Sequence, residues 1–157
     1  MLILIFQLGA DRYAMDCQSV VEIVPQVSLK EVPHAPKYVA GLFNYRGTIV
    51  PVIDLRELIQ RIPCQPHLSS RIVLVDYSRI TGATNGPREI LGLIAERVSE
   101  VREKPKSSTR PIVVDDANFM GEIVLFDGDM IQLVEPGKLL TESLRRMLFA
   151  GSAVDVK

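Results

Sequence analysis

The chain contains no tryptophan, few other aromatic residues and almost no excess charge. Its 157 residues include four tyrosines and five phenylalanines, so the core must be largely aliphatic. The formal net charge is −1 at pH 7, whereas a nucleic-acid-binding face usually carries a basic excess. The composition therefore argues against nucleic acid as a partner.

Long apolar runs and paired cysteines are also missing. No stretch approaches the roughly 18 consecutive apolar residues that indicate a membrane-spanning helix. The apolar start Met1–Phe6 is short and has no basic segment before it, which predicts a strand instead of a signal peptide. Cys17 and Cys64 lie far apart, so reduced thiols are expected. We therefore expect a cytoplasmic protein with no direct membrane insertion.

Residue clusters suited to catalysis or metal binding are sparse. Four candidate zinc ligands are Cys17, His34, Cys64 and His67. Zinc sites usually show two close ligand pairs, but only Cys64 and His67 are close in sequence. Ser69 lies near His67, yet no neighbouring side chain would orient that imidazole for nucleophilic catalysis. The sequence therefore predicts no enzymatic activity, no metal and no cofactor.

Short apolar runs broken by turn residues dominate the rest of the chain, and its many valines and isoleucines favour strands. An amphipathic helix is predicted from Leu55 to Ile62, before Pro63, and another from Leu140 to Leu148. Many short strands joined by turns predict a sandwich or barrels. The predicted strands cover residues 2–8, 27–32, 41–45, 48–54, 71–77, 89–95, 97–103, 122–126 and 130–134.

Four segments have weaker or mixed signals. A short helix is predicted to open over Asp16–Val20, and Val20–Val24 is either the tail of that helix or an extended segment that stops at Pro25. Residues 81–88 and 104–111 are expected to be an exposed connection and a mobile polar segment, respectively.

The most informative stretch runs from Val39 to Leu55. An apolar run reaches Phe43, an Asn-x-Arg-Gly turn follows at Asn44–Gly47, and a second apolar run continues to Asp54. This pattern predicts a β-hairpin with a cationic side chain at its tip. The stretch contains no nucleophile–base pair and no phosphate-binding loop, which favours a recognition element over a catalytic one.

This stretch resembles the signature of CheW-like domains, the coupling proteins of bacterial chemotaxis arrays. The family pattern reads G-x-x-N-x-R-G followed by P-V-x-D-L. The resemblance extends over roughly Leu4 to Leu148 and includes a V-x-E-I element at residues 20–23. The residues that match the signature are Gly41, Asn44, Arg46, Gly47, Pro51, Val52, Asp54 and Leu55.

The resemblance implies a mostly β fold with a few short helices and a C-terminal helix. Two intertwined five-stranded β-barrels of the SH3-like type would share a hydrophobic core. One CheW-like domain of two barrel subdomains would cover residues 1–150, followed by a frayed tail over residues 151–157. The segment after Asp16 and the hairpin at Arg46 would lie near a groove between the barrels.

The resemblance also implies a function. The protein would be a non-enzymatic adaptor that couples methyl-accepting chemoreceptors to a CheA-type histidine kinase in a signalling array at the membrane. It would bind the receptor's cytoplasmic tip in the groove and the kinase's regulatory domain through barrel-to-barrel contacts. The alternatives are a CheW-like scaffold of a sibling pathway (surface sensing, twitching motility or diguanylate cyclase control) or, with less support, a small ligand-binding barrel or enzyme.

The receptor-binding residues implied by the resemblance centre on one ion pair. The fork of the Arg46 guanidinium suits a carboxylate, and the resemblance supplies Glu22 as its partner. The pair either locks two segments together or shapes the receptor-binding face. If the pair is buried, breaking it should cost about 3–5 kcal/mol, and less where water reaches the site. The full set of implied receptor-binding residues is Val20, Glu22, Gly41, Asn44, Arg46 and Gly47.

Local geometry decides which of these side chains can act together. Val20 and Glu22 would share one face of an extended segment, but they would diverge by about 200° on a helix. Gly41 and Gly47 are expected to flank the hairpin tip, where a side chain would obstruct a partner. Gly41→Asp is therefore predicted to weaken receptor binding and to leave kinase binding intact.

Overall fold

The computed structural model describes residues 1–82, 86–106, 108–109 and 117–154, and the fold within them is mostly β. The helices are α1 (Leu55–Gln60), α2 (Tyr77–Thr81) and α3 (Glu142–Val154), with short 3₁₀ turns at Cys17–Ser19 and Pro136–Lys138. The strands are β1 (Leu2–Leu8), β2 (Asp11–Asp16), β3 (Val20–Pro25), β4 (Val39–Tyr45), β5 (Thr48–Asp54), β6 (Arg71–Asp76), β7 (Ile90–Ala95), β8 (Arg97–Glu103), β9 (Ser108–Thr109), β10 (Met120–Phe126) and β11 (Asp129–Val134).

The strands form two sheets. Sheet A has the order β8-β1-β2-β11-β10-β9, and sheet B has the order β3-β6-β7-β5-β4. Most neighbours are antiparallel, but β2 and β11 are parallel, as are β5 and β7. The predicted mostly β fold is confirmed, with two sheets where the resemblance implies two five-stranded barrels. Within the described ranges each sheet is open instead of a closed barrel, and the short β9 adds a sixth strand to sheet A.

Sheet A curls strongly, although its described strands do not close into a barrel. The guanidinium carbon of Arg102 on β8 lies 5.3 Å from the ring centroid of Phe126 on β10, although three strands separate β8 from β10 in the sheet. A salt bridge joins Lys104, just after β8, to Glu122 on β10. The two distant strands therefore approach each other across the curved sheet.

Each sheet buries both of its faces, which explains the continuous apolar runs of its central strands. Successive side chains of a strand point to opposite faces. Ile3 and Ile5 of β1 therefore pack into a cluster within sheet A, which we call core A, while Leu4 and Phe6 pack into a cluster that contains residues of both sheets, which we call the shared core. Core A consists of Ile3, Ile5, Ala14, Val124, Ile131 and Leu133. Core B, inside sheet B, consists of Val50, Val52, Ile72, Leu74, Ile90 and Ile94.

The shared core holds the two sheets together. Phe6 and Met15 of sheet A pack there with Val73 and Leu93 of sheet B, and Leu144 of α3 covers the same cluster. Burying one such aliphatic or aromatic side chain contributes roughly 1.5–3 kcal/mol. The predicted hydrophobic core shared by the two β units is thus confirmed.

Several predicted elements have different bounds. The predicted strand at residues 27–32 is wrong, since Lys30 makes only an isolated bridge to Leu42. The predicted helix to Ile62 ends at Gln60, because Arg61 adopts a left-handed φ of 61° and its N–H donates to the Glu57 carbonyl. The short helix α2 was not predicted; Asp76 caps it by accepting from the Arg79 N–H at 3.1 Å.

The later segments are partly described. Ser108–Thr109 pairs with β10 as β9, within the stretch predicted to be mobile; residues 107 and 110–116 lie outside the described residues. The backbone of α3 continues to Val154, four residues into the predicted tail, and residues 155–157 also lie outside. Among the described helices, none is both long enough and apolar enough to cross a membrane.

Candidate partner-binding surface

The predicted hairpin is confirmed, and its tip is a two-residue turn. Tyr45 pairs with Thr48 across the strands, which leaves Arg46 and Gly47 as the central residues of the turn. Both have positive φ, 51° and 88°, the pattern of a type I′ turn. The Asn44 side-chain oxygen accepts from the Gly47 N–H at 2.7 Å. Asn44 and Gly47 thus stabilise the turn conformation, and the turn projects the Arg46 side chain into solvent.

Arg46 contacts Glu22, as the resemblance implies, but the contact is at the surface. Arg46 Nη2 lies 3.2 Å from Glu22 Oε1, and the two side chains are 74% and 35% exposed. The Tyr45 hydroxyl donates to the same carboxylate, and this hydrogen bond raises the pKa of Tyr45 above its usual value. An exposed pair of this kind contributes about 0–1 kcal/mol. Water reaches this site, so the cost of breaking the pair is predicted to fall below the 3–5 kcal/mol of a buried pair.

A β-bulge separates Val20 from Glu22. Val20 pairs with Val75 of the shared core, whereas Glu22 pairs with Leu74 of core B, so Val21 is the extra residue between them. The extended alternative for Val20–Val24 is correct, and the helix predicted over Asp16–Val20 is limited to the 3₁₀ turn Cys17–Ser19. The expectation that an extended segment puts both side chains on one face is wrong, because a bulge reverses the alternation of faces.

Gly41 lies away from the hairpin tip, at a bulge of β4. The Lys30 carbonyl accepts from the Leu42 N–H at 2.8 Å on this side of the strand. A Cβ at Gly41 would lie 2.6 Å from Lys30 O and 2.9 Å from Leu29 Cβ, and φ is +148°. Gly41 therefore allows a close backbone contact. Gly41→Asp would disturb the fold, so it is not a selective test of receptor binding.

A groove lies where sheet A meets helix α2, which follows β6 of sheet B. Its main part has a volume of about 640 Å³, and a smaller extension continues along α2. The 3₁₀ turn Cys17–Ser19 and α2 form one wall, and β11 with the Pro136–Lys138 turn forms the other. The residues that define this inter-sheet groove are Asp16, Ser19, Ile80, Thr81, Leu133 and Pro136.

The implied receptor-binding residues divide between two places. Val20 packs against the shared core, next to the groove-lining Ser19. Glu22 and Arg46 instead line a separate pocket of about 360 Å³ beside the hairpin, which we call the hairpin pocket. An ion pair connects the two places, since Asp76 of the groove extension contacts Arg88 of the hairpin pocket at 3.2 Å.

Asp76 and Arg88 were missed by the sequence analysis. Burial alone would raise the pKa of Asp76, but hydrogen bonds from Ser78, the Arg79 N–H and Arg88 lower it below its usual value. The one available sequence signal was the aspartate before a short helix, which is a common N-cap residue. Arg88 follows Asn85-Gly86-Pro87, and nothing in that sequence indicates its partner.

The candidate zinc ligands do not assemble in the part of the chain that the structure describes, where no three His, Cys, Asp or Glu side chains are grouped to hold a metal. Cys17 packs against the shared core. The Cys64 thiol lies 3.7 Å from the Ile94 carbonyl oxygen, and burial raises its pKa. The absence of a metal site stays a prediction.

Comparison with known proteins identifies the family. The sequence-family model of the CheW-like domain matches residues 2–144 of this chain. The chain belongs to the CheW-like domain family. The probable chemotaxis protein CheW of Rhizobium etli is 28% identical to this CheW-like domain over 142 residues, 88% of this chain and 86% of that protein. The chemotaxis protein CheW of Rhizobium meliloti is 25% identical over 134 residues, 83% of this chain and 81% of that protein.

A solved structure supports the same assignment. The crystal structure of the scaffolding protein TtCheW from Thermoanaerobacter tengcongensis is 30% identical in sequence and superimposes with a TM-score of 0.75. The similarity covers 89% of this chain and 87% of that one. The CheW-like domain therefore has the same two-sheet fold as that scaffold.

Proposed function

We propose that this CheW-like domain is a non-enzymatic adaptor that couples methyl-accepting chemoreceptors to a CheA-type histidine kinase in a chemotaxis array. The observation that carries this proposal is the family match over residues 2–144, with similar proteins named as chemotaxis protein CheW. The solved scaffold with the same fold supports a structural role over a catalytic one. The adaptor works in the cytoplasm and is recruited to membrane-bound receptor arrays.

The receptor's cytoplasmic tip binds in the inter-sheet groove in this proposal. The groove has apolar residues, Leu133 and Ile80, next to charged residues such as Lys138, which pairs with Glu135 at 3.2 Å. An apolar floor with a charged rim suits an amphipathic helix. The helical hairpin of a receptor tip is a partner of that kind.

The hairpin contributes a second receptor contact through Arg46. Asn44 and Gly47 serve this contact by fixing the turn, and Glu22 orients the guanidinium. Val20 supports the groove wall from the shared core. The kinase's regulatory domain binds separately, through contacts between its own CheW-like fold and the sheets of this one.

Binding measurements on the purified chain test this proposal. We expect the chain to bind both a chemoreceptor cytoplasmic fragment and the kinase regulatory domain from the same genome, and to hold them in one complex. Ser19→Arg places a large side chain in the groove and should weaken receptor binding about tenfold or more, with kinase binding retained. The matched control is Ser143→Arg, at an exposed position of α3.

Two results would contradict the proposal. If the folded wild-type chain fails to bind the chemoreceptor fragment, or fails to bind the kinase regulatory domain, the adaptor role is excluded. Equal receptor affinity for Ser19→Arg and Ser143→Arg would exclude the inter-sheet groove as the receptor site.

A further inference from the structure

The hairpin pocket brings together two arginines that are far apart in sequence. Arg46 comes from the turn between β4 and β5, and Arg88 comes from the segment before β7. Tyr45 and Thr48 complete the wall between them. Arg88 is 59% exposed, and Arg46 is more exposed still. Two guanidinium groups thus border one solvent-accessible pocket.

Each arginine has an acidic partner on the protein side of the pocket. Arg46 contacts Glu22, and Arg88 Nε contacts Asp76 Oδ2 at 3.2 Å. Asp76 is only 18% exposed and also accepts from Ser78 and the Arg79 N–H. The carboxylates are therefore held against the protein, while both guanidinium groups extend outward.

The outward groups retain unused hydrogen-bond donors. A guanidinium has five N–H donors in a planar fork. Arg88 uses Nε, and Arg46 uses Nη2, for their hydrogen bonds with described residues. No acceptor for the two Nη atoms of Arg88 is found within the described ranges. Such a planar pair of donors matches the two oxygens of a carboxylate.

We propose that Arg46 and Arg88 together form a recognition pocket for the carboxylate of an aspartate or glutamate on a partner protein. Within the adaptor function proposed above, on which this identification of the partner rests, the acidic residue belongs to the chemoreceptor tip. The acids behind the arginines favour one carboxylate over a polyphosphate chain, because Glu22 and Asp76 repel further negative charge. The hairpin pocket thereby adds charge specificity to the neighbouring groove.

A peptide titration tests the pocket without any receptor. The probe is hexaglutamate, with hexaglutamine as its uncharged match, and the readout is the NMR signal of each arginine Nε–H group in the full chain. We expect hexaglutamate to shift the Arg46 and Arg88 signals more than that of Arg97, an exposed arginine of sheet A. Equal shifts at all three arginines, or none, would overturn the pocket.

A receptor-binding series tests the partner. Arg88→Glu should weaken binding of the receptor cytoplasmic fragment about tenfold or more, because like charges would then face each other. Arg88→Gln should show a smaller loss, and Arg97→Glu should bind like the wild type. A Glu→Lys or Asp→Lys change in the receptor tip should restore binding to Arg88→Glu.

The outcomes separate this proposal from the adaptor function. Wild-type affinity of Arg88→Glu for the receptor fragment would overturn the role of Arg88. If the wild-type chain does not bind receptor at all, the adaptor function fails, and the hexaglutamate titration still decides whether the pocket recognises carboxylates.

Discussion

Two ion pairs in this protein differ more in burial than in length. Arg46 and Glu22 approach to 3.2 Å at the surface, whereas Arg56 and Glu96 approach to 2.7 Å with side chains that are only 17% and 3% exposed. Glu96 also accepts from the backbone N–H groups of Gly9 and Gln65. Water screens the first pair and is excluded from the second, so their effects on stability should differ.

For the surface pair, Arg46→Ala should lower the free energy of unfolding by no more than about 1 kcal/mol. Urea denaturation checks this, with Glu22→Gln and the double variant completing a mutant cycle. A loss of about 3 kcal/mol would show that the pair is a structural lock. A small stability effect with a clear loss of receptor binding would assign Arg46 to recognition.

For the buried pair, Glu96→Gln should lower the free energy of unfolding by about 2–4 kcal/mol, because it leaves Arg56 without its counter-charge and weakens two backbone hydrogen bonds. The matched control is Glu103→Gln on β8, where the side chain is exposed and the change should stay within about 0.5 kcal/mol. Similar losses for both variants would contradict the structural role of Glu96.

The same residue makes stability depend on pH. Burial alone would raise the pKa of Glu96, but hydrogen bonds from Gln65 and Gly9 and the contact with Arg56 lower it below its usual value. A carboxyl group with a lowered folded-state pKa stabilises the protein above its unfolded-state pKa, about 4.3, and loses that contribution as the pH falls through the folded-state value. The stability gap between wild type and Glu96→Gln should therefore narrow below about pH 4.3 in urea titrations. A constant gap would contradict this.

At the scale of elements, the two glycines of the β4–β5 hairpin have different tasks. Gly41→Ala should lower stability by about 2–4 kcal/mol, because the added Cβ meets Lys30 O and the backbone has a positive φ. Gly47→Asn should cost less than about 1 kcal/mol, since asparagine tolerates positive φ and a Cβ there has no neighbour within 4 Å among the described residues. Thermal unfolding of both variants measures the difference. Equal losses would contradict the close contact at Gly41.

The hairpin was predictable because its signals are local. Asn44 and Gly47 carry the turn chemistry within four residues, and the flanking apolar runs define the strands. The predicted strand at residues 27–32 failed because a strand needs a neighbour along its length, and only Lys30 finds one. Helix α2 was missed because a five-residue helix is too short to show periodicity.

The site was less predictable than the fold. The bulge at Val21 depends on how β3 pairs with β6, and the exposure of Arg46 depends on the path of two hairpin strands. Both features depend on contacts between residues that are far apart in sequence. The meeting of Arg88 with Arg46 has the same origin, since about forty residues of chain separate them.

At the scale of the whole molecule, the shared core should make unfolding a single transition. Phe6 of sheet A and Leu93 of sheet B lose their environment together, so separating the sheets would expose the shared core even if cores A and B stayed buried. Urea curves followed by far-UV circular dichroism and by tyrosine fluorescence should therefore coincide. Two separated transitions would show that the sheets unfold independently.

The order of strands along the chain has a consequence for synthesis on the ribosome. Sheet B is complete at Ala95, whereas β1 and β2 must wait for β8 and β11, their neighbours in sheet A. At about 5–20 residues per second, the wait is on the order of ten seconds. During that time β1 exposes Ile3 and Phe6 on opposite faces of an unpaired edge. We therefore expect the nascent β1–β2 hairpin to bind a chaperone during synthesis.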